Sequence, residues 1–132
     1  MRIDHIGYLV KNIDRAAADF VSLGYAPRGE AQYDEARHAD IAFLDNGAYV
    51  VELVAPRGES SVAWKLLKRN GVGPYHICYE ASDMDEADRT LREQGYVRML
   101  DKQPAPALGG RAVAFYTGRN MGMIELVEAG GE

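Results

Sequence analysis

A chain of 132 residues with 47% hydrophobic and 27% charged side chains has the size and composition of one soluble globular domain. Its formal charge of −5 and its lack of basic runs exclude an electrostatic nucleic-acid binder. One cysteine, Cys78, excludes an intramolecular disulfide and points to a reducing compartment. No apolar run nears the roughly 20 residues that span a membrane, so the expected location is the cytoplasm.

Residues 2–10 read as a strand, apolar with β-branched and aromatic positions. The next segment places Ile13, Ala16, Ala17 and Phe20 at helical spacing, with Asn12 to cap its start and Gly24 to end it in a left-handed conformation. Three further strands are expected in this half. The last two, about 38–45 and 48–55, join through Asp45-Asn46-Gly47, a hairpin signal. A helix over about 60–70 follows, with Val62, Ala63, Leu66 and Leu67 on one face and Gly71 as its stop. A strand at 74–81 and a helix carrying Met84, Ala87 and Leu91 come next. Asp83 and Glu86 form a capping box for that helix, and Gly95 ends it. With three more strands the order is βαβββ, a connecting helix, and βαβββ again. The fold class is α+β.

The two halves are copies. HIGYLVKNIDRAAADFVSLGY from His5 and HICYEASDMDEADRTLREQGY from His76 match without gaps at His5/His76, Ile6/Ile77, Tyr8/Tyr79, Asp14/Asp85, Ala16/Ala87, Gly24/Gly95 and Tyr25/Tyr96. The ends match again, Val51-Glu52-Leu53-Val54 with Ile124-Glu125-Leu126-Val127 and Phe43-Leu44 with Phe115-Tyr116. The expected layout is one domain: module one over about 1–56, the linker helix, and module two over about 73–128. Neither half alone buries enough surface to stand by itself.

Each copy places a histidine in its first strand and a glutamate in its last. Glu52 is the only charge in YVVELVA and Glu125 the only one in MIELV, so both sit on strands that read as buried on two sides. A lone carboxylate there pays several kcal/mol of desolvation unless paired or bound to a cation. Few cationic partners are in view, and a metal resolves the cost. A lone strand histidine is usually a satisfied core residue, and a lone strand glutamate usually faces solvent. Their recurrence at equivalent points of a duplicated unit reverses that reading for His5, Glu52, His76 and Glu125. Two imidazoles and two carboxylates suit Zn, Ni, Co, Mn or Fe and leave coordination positions for water or substrate. His38 has no counterpart and reads as a surface residue; Cys78, two residues from His76, reads as a buried structural thiol.

These residues resemble the vicinal oxygen chelate superfamily over essentially the whole chain. Three stretches look most like its methylmalonyl-CoA epimerases: Asp4-His5-Ile6-Gly7, VELVAPRGESSVAWKLLKRNG (51–71), and Tyr75-His76-Ile77-Cys78 through Gly109-Gly110-Arg111 to Ile124-Glu125-Leu126. The resemblance implies two modules curving into a half-open barrel around the metal, often in a homodimer, with the ion chelating vicinal oxygens of a small substrate. It puts the ligands on His5, Glu52, His76 and Glu125, a set also similar to that of glyoxalase I. The chain departs from the epimerase pattern at Tyr75, where a second histidine is usual, and at Tyr116-Thr117-Gly118-Arg119, in place of His-Pro-Lys-Ser. The expected chemistry is proton abstraction next to a carbonyl, giving epimerisation or isomerisation, with Glu125 or Asp40 as the base. A glyoxalase I-type lyase and a binding protein that sequesters a drug or intermediate without turnover are the alternatives.

Overall fold

Alternation shapes the first element. Over β1 (Ile3–Leu9), His5, Gly7 and Leu9 are buried while Asp4, Ile6 and Tyr8 are partly open, the period of a strand with two unlike faces. The computed structural model describes residues 1–130, which fall into two units: His5–Tyr75, and Met1–Asp4 with the residues from His76 onward. Helices and strands both contribute, as an α+β chain requires.

In the first unit, α1 (Ile13–Ser22) follows β1 and leads to β2 (Ala26–Asp34), β3 (Ala39–Asp45), β4 (Val50–Pro56) and α2 (Val62–Asn70). The strands lie in the order β2-β3-β4-β1, antiparallel except for the parallel pair β1–β4. One face is covered by α1, whose Ile13, Ala16, Ala17 and Phe20 pack on Leu44, Val51, Leu53 and Ala55. Burying each large apolar side chain there stabilises the unit by roughly 1.5–3 kcal/mol. Asn12 Oδ1 accepts the Arg15 N–H at 2.9 Å and opens the helix. At its other end Tyr25 N–H reaches Phe20 O and Gly24 N–H reaches Val21 O, with Gly24 at φ 94°. This is a Schellman ending, and the Phe20 and Tyr25 rings, 5.1 Å apart, supply its apolar contact.

The second unit repeats this plan with β5 (Gly73–Ala81), α3 (Met84–Glu93), β6 (Val97–Pro104), β7 (Ala112–Gly118) and β8 (Gly122–Glu128), in the order β5-β8-β7-β6. The parallel pair is again the first strand with the last, β5–β8. Ala87, Leu91 and Met84 of α3 pack on Ala114, Tyr116, Ile124 and Leu126. Asp83 Oδ1 accepts the Glu86 N–H at 3.0 Å, one of the two bonds of a capping box.

Two local features were not anticipated. The linker helix begins at Val62, and the hydroxyl of its N-cap residue Ser61, 1% exposed, donates to Arg37 O at 2.7 Å and makes no capping bond. The β6–β7 connection holds a 3-10 turn over Pro106–Leu108. Among the described residues no helix is long and apolar enough to cross a membrane.

Candidate metal centre

Strand register places the first pair. Glu52 on β4 stands beside Phe43 on β3 and Gly7 on β1, so all three share one face. His5, two residues before Gly7, shares that face, which is the one turned away from α1. The His5 Nε2 and Glu52 Oε1 atoms approach to 3.4 Å, and both side chains are fully buried. Phe43 meets the imidazole edge to face, with centroids 5.3 Å apart.

The second unit builds the same arrangement. Glu125 on β8 stands beside Phe115 on β7 and Cys78 on β5, and His76 lies two residues before Cys78. His76 Nε2 lies 2.9 Å from Glu125 Oε1, again with both side chains fully buried. Phe115 packs edge to face on His76 at 5.4 Å. The equivalence seen in the repeats is therefore one of register: histidine, glutamate and phenylalanine occupy matching positions on three neighbouring strands of each module.

Each pair presents an imidazole nitrogen and a carboxylate oxygen to each other within an apolar wall. A mixed N/O donor set of this kind fits a borderline divalent ion. The first unit also holds a cation that pattern reasoning missed. Arg37, in the turn between β2 and β3, donates through Nη2 to Glu52 Oε2 at 3.0 Å and through Nε to Asp34 Oδ2 at 2.9 Å. The Asp34 and Arg37 side chains are only 7% and 10% exposed. Glu52 thus has a cationic neighbour, which corrects the expectation that few were in view. One guanidinium against two carboxylates still leaves one negative charge, so a further cation remains electrostatically suited to this face. The signal available beforehand was the i, i+3 spacing of Asp34 and Arg37 across a turn. It resembles any surface ion pair until the register of β2 with β3 turns Asp34 to the Glu52 face.

Asp40, the other candidate base, is turned away from this site by the same register. Phe43 pairs with Glu52 in an unbroken ladder, so Ala39, Ile41 and Phe43 face the glutamate and Asp40 faces the other way. Its carboxylate instead accepts from Arg57 Nη2 at 2.8 Å, and Arg57 lies over the Tyr33 ring. Cys78 is fully buried among Ala105, Val113, Phe115 and Val127, as a structural thiol would be. His38 is exposed, with its Nδ1 3.2 Å from the Tyr33 hydroxyl.

Tyr116, at the departure from the epimerase pattern, lies on the α3 side and is 1% exposed. Its hydroxyl donates to Asp88 Oδ1 at 2.6 Å. Burial, reinforced by the Asp88 carboxylate, pushes the phenol well above its ordinary range. The tyrosine hydrogen bond, helped by Arg98 and Arg92, holds Asp88 below the usual carboxylate range.

Two βαβββ modules, each burying a histidine and a glutamate on the sheet face away from its helix, define a duplicated fold with a candidate metal-ligand set. The chain belongs to the Glyoxalase/Bleomycin resistance protein/Dioxygenase superfamily, whose family model matches residues 4–115. It is 29% identical over 134 residues to an uncharacterized protein of Bacillus subtilis, covering 99% of this chain and 94% of that one. It is 35% identical over 130 residues to the mitochondrial methylmalonyl-CoA epimerase of Dictyostelium discoideum, covering 96% of this chain and 78% of the relative. The crystal structure of methylmalonyl-CoA epimerase from Mycobacterium tuberculosis superposes with a TM-score of 0.84 at 27% identity, over 98% of this chain and 88% of that one. The family fold therefore extends across both modules.

Proposed function

We propose that this chain is a metal-dependent epimerase or isomerase that abstracts the proton next to a carbonyl of a small thioester substrate. The observation that carries the reading is the repeated burial of an imidazole and a carboxylate, His5 with Glu52 and His76 with Glu125. In this proposal all four residues hold one divalent ion (Zn, Ni, Co, Mn or Fe), and the whole chain acts as one functional domain. The ion, when bound, supplies Lewis-acid polarisation of a substrate carbonyl. Relatives named methylmalonyl-CoA epimerase and ethylmalonyl-CoA/methylmalonyl-CoA epimerase, at 35% and 29% identity, favour a 2-methylmalonyl-type thioester, whose carboxylate and thioester oxygens flank the α-carbon. The resemblance favours a homodimer, and the lone cysteine favours a reducing compartment, the cytoplasm.

The chain's own residues then divide the work. Glu125, as a ligand that could detach from the ion, is the proposed base: its carboxylate would take the α-proton, and a solvent-derived proton would be delivered to the opposite face of the same carbon. His76, whose Nε2 lies 2.9 Å from Glu125 Oε1, would supply the nitrogen donor of that half of the site. Phe115, packed against the imidazole, excludes water from it on one side. His5 and Glu52 hold the other half of the donor set. Asp40 has no role in this scheme, because its side chain points to the α1 side of the sheet.

The test is solvent exchange. Protein loaded with Co or Mn is incubated in D₂O with methylmalonyl-CoA and, separately, with the hemithioacetal of a 2-oxoaldehyde. We expect deuterium at the α-carbon of the thioester, faster than without protein and lost in Glu125→Gln. A metal-loaded protein that labels neither substrate above the protein-free rate rejects the reading. Turnover of the hemithioacetal alone replaces it with lyase chemistry.

A further inference from the structure

The two modules match in their histidine, glutamate and phenylalanine but not at the sequence position six residues before the phenylalanine. The residue six positions before Phe43 is Arg37; the residue six positions before Phe115 is Gly109, which has no side chain. Arg37 divides the two oxygens of Glu52. Oε2 accepts from its Nη2 at 3.0 Å, while Oε1 faces His5 Nε2 at 3.4 Å. Asp34 holds Arg37 at two points: its Oδ2 accepts from the guanidinium Nε at 2.9 Å and its Oδ1 accepts the Arg37 backbone N–H at 3.2 Å. The turn is fastened at a third point by the Ser61 hydroxyl on the Arg37 carbonyl.

Resting on the metal reading above, we propose that Arg37 is a positioning residue that makes Glu52 a single-oxygen ligand of fixed orientation. A carboxylate in a buried site can rotate about its last torsion and bind through either oxygen or both. Here one oxygen is committed to a planar fork whose other arm is committed to Asp34. Only Oε1 remains on the His5 side. Because Asp34 balances the guanidinium, Arg37 adds little net repulsion toward an ion, and orientation is its main effect. Lysine cannot reproduce this, since one ammonium has no rigid fork to span both carboxylates. Groups that orient a ligand in this way typically contribute a factor of about 10–100 in metal affinity.

The test is a chelator-competition measurement of Co²⁺ affinity on the full chain, with the visible Co²⁺ spectrum recorded alongside. Arg37→Met should weaken binding by about 10- to 100-fold, and Arg37→Lys by about tenfold, each with an altered spectrum. In a Glu52→Gln background the same substitutions should change affinity by no more than about twofold, because the group through which Arg37 acts has been neutralised. Far-UV circular dichroism checks folding, and Arg37→Lys carries the test if Arg37→Met does not fold. Wild-type affinity in Arg37→Lys, or an equal loss with and without Glu52, overturns the proposal while the metal reading stands. A wild-type protein that binds no divalent ion overturns both.

Discussion

Replacing Glu125 by glutamine keeps the shape of the side chain and removes its charge, so it tests ligation with little loss of packing. If His5, Glu52, His76 and Glu125 hold an ion, binding must add to folding stability by RT ln(1 + [M]/Kd). At a free metal concentration of one hundred times the wild-type Kd this is about 2.7 kcal/mol. For 132 residues the unfolding entropy is about 0.28 kcal/mol per kelvin near the midpoint, so Tm should rise by about 10 °C. Loss of an outer-sphere partner costs a metal site about 10- to 100-fold, and loss of a ligand's charge should cost at least the upper figure. At the same metal concentration the variant would then gain only about 0.4 kcal/mol, a shift of about 1–2 °C. Differential scanning calorimetry on chelator-stripped protein, with and without Zn²⁺, Co²⁺ or Mn²⁺, reads both values. Equal shifts in the two proteins, or no wild-type shift with any of the ions, would show that Glu125 is not a ligand.

The same calorimetric comparison on Asp40→Asn should leave the metal-linked rise in Tm unchanged, since its carboxylate lies on the α1 side against Arg57; a rise reduced to the Glu125→Gln level would refute the assigned register. Tyr116→Phe removes a bond of 2.6 Å to a carboxylate and should cost about 1.5–3 kcal/mol in urea denaturation. The sign of its pH dependence follows from Asp88, whose folded pKa is lowered. Asp88 therefore contributes stability that is fully present above the ordinary aspartate value of about 3.9 and is lost as pH falls through the folded value. Tyr116→Phe should flatten that acid limb, and an unchanged slope between about pH 5 and 2 would show that the hydroxyl does not hold the carboxylate.

Sequence alone determined the duplication, the element order and the four candidate donor residues, because each leaves a local mark. Helix ends are written in Asn12, Asp83, Gly24 and Gly95, whose side chains or left-handed conformations act within a turn of where they stand. The histidines and glutamates are visible because a charge between apolar neighbours on a strand is costly wherever the strand ends up. Tertiary structure alone decided which face each side chain takes, since one residue of strand register reverses every assignment. That is why Asp40 was expected at the site and is found on the opposite face. It is also why Arg37 and Asp34, an ordinary pair in the sequence, stand beside Glu52. Their meeting depends on the pairing of β2 with β3 and of β3 with β4, contacts between residues that no local pattern relates.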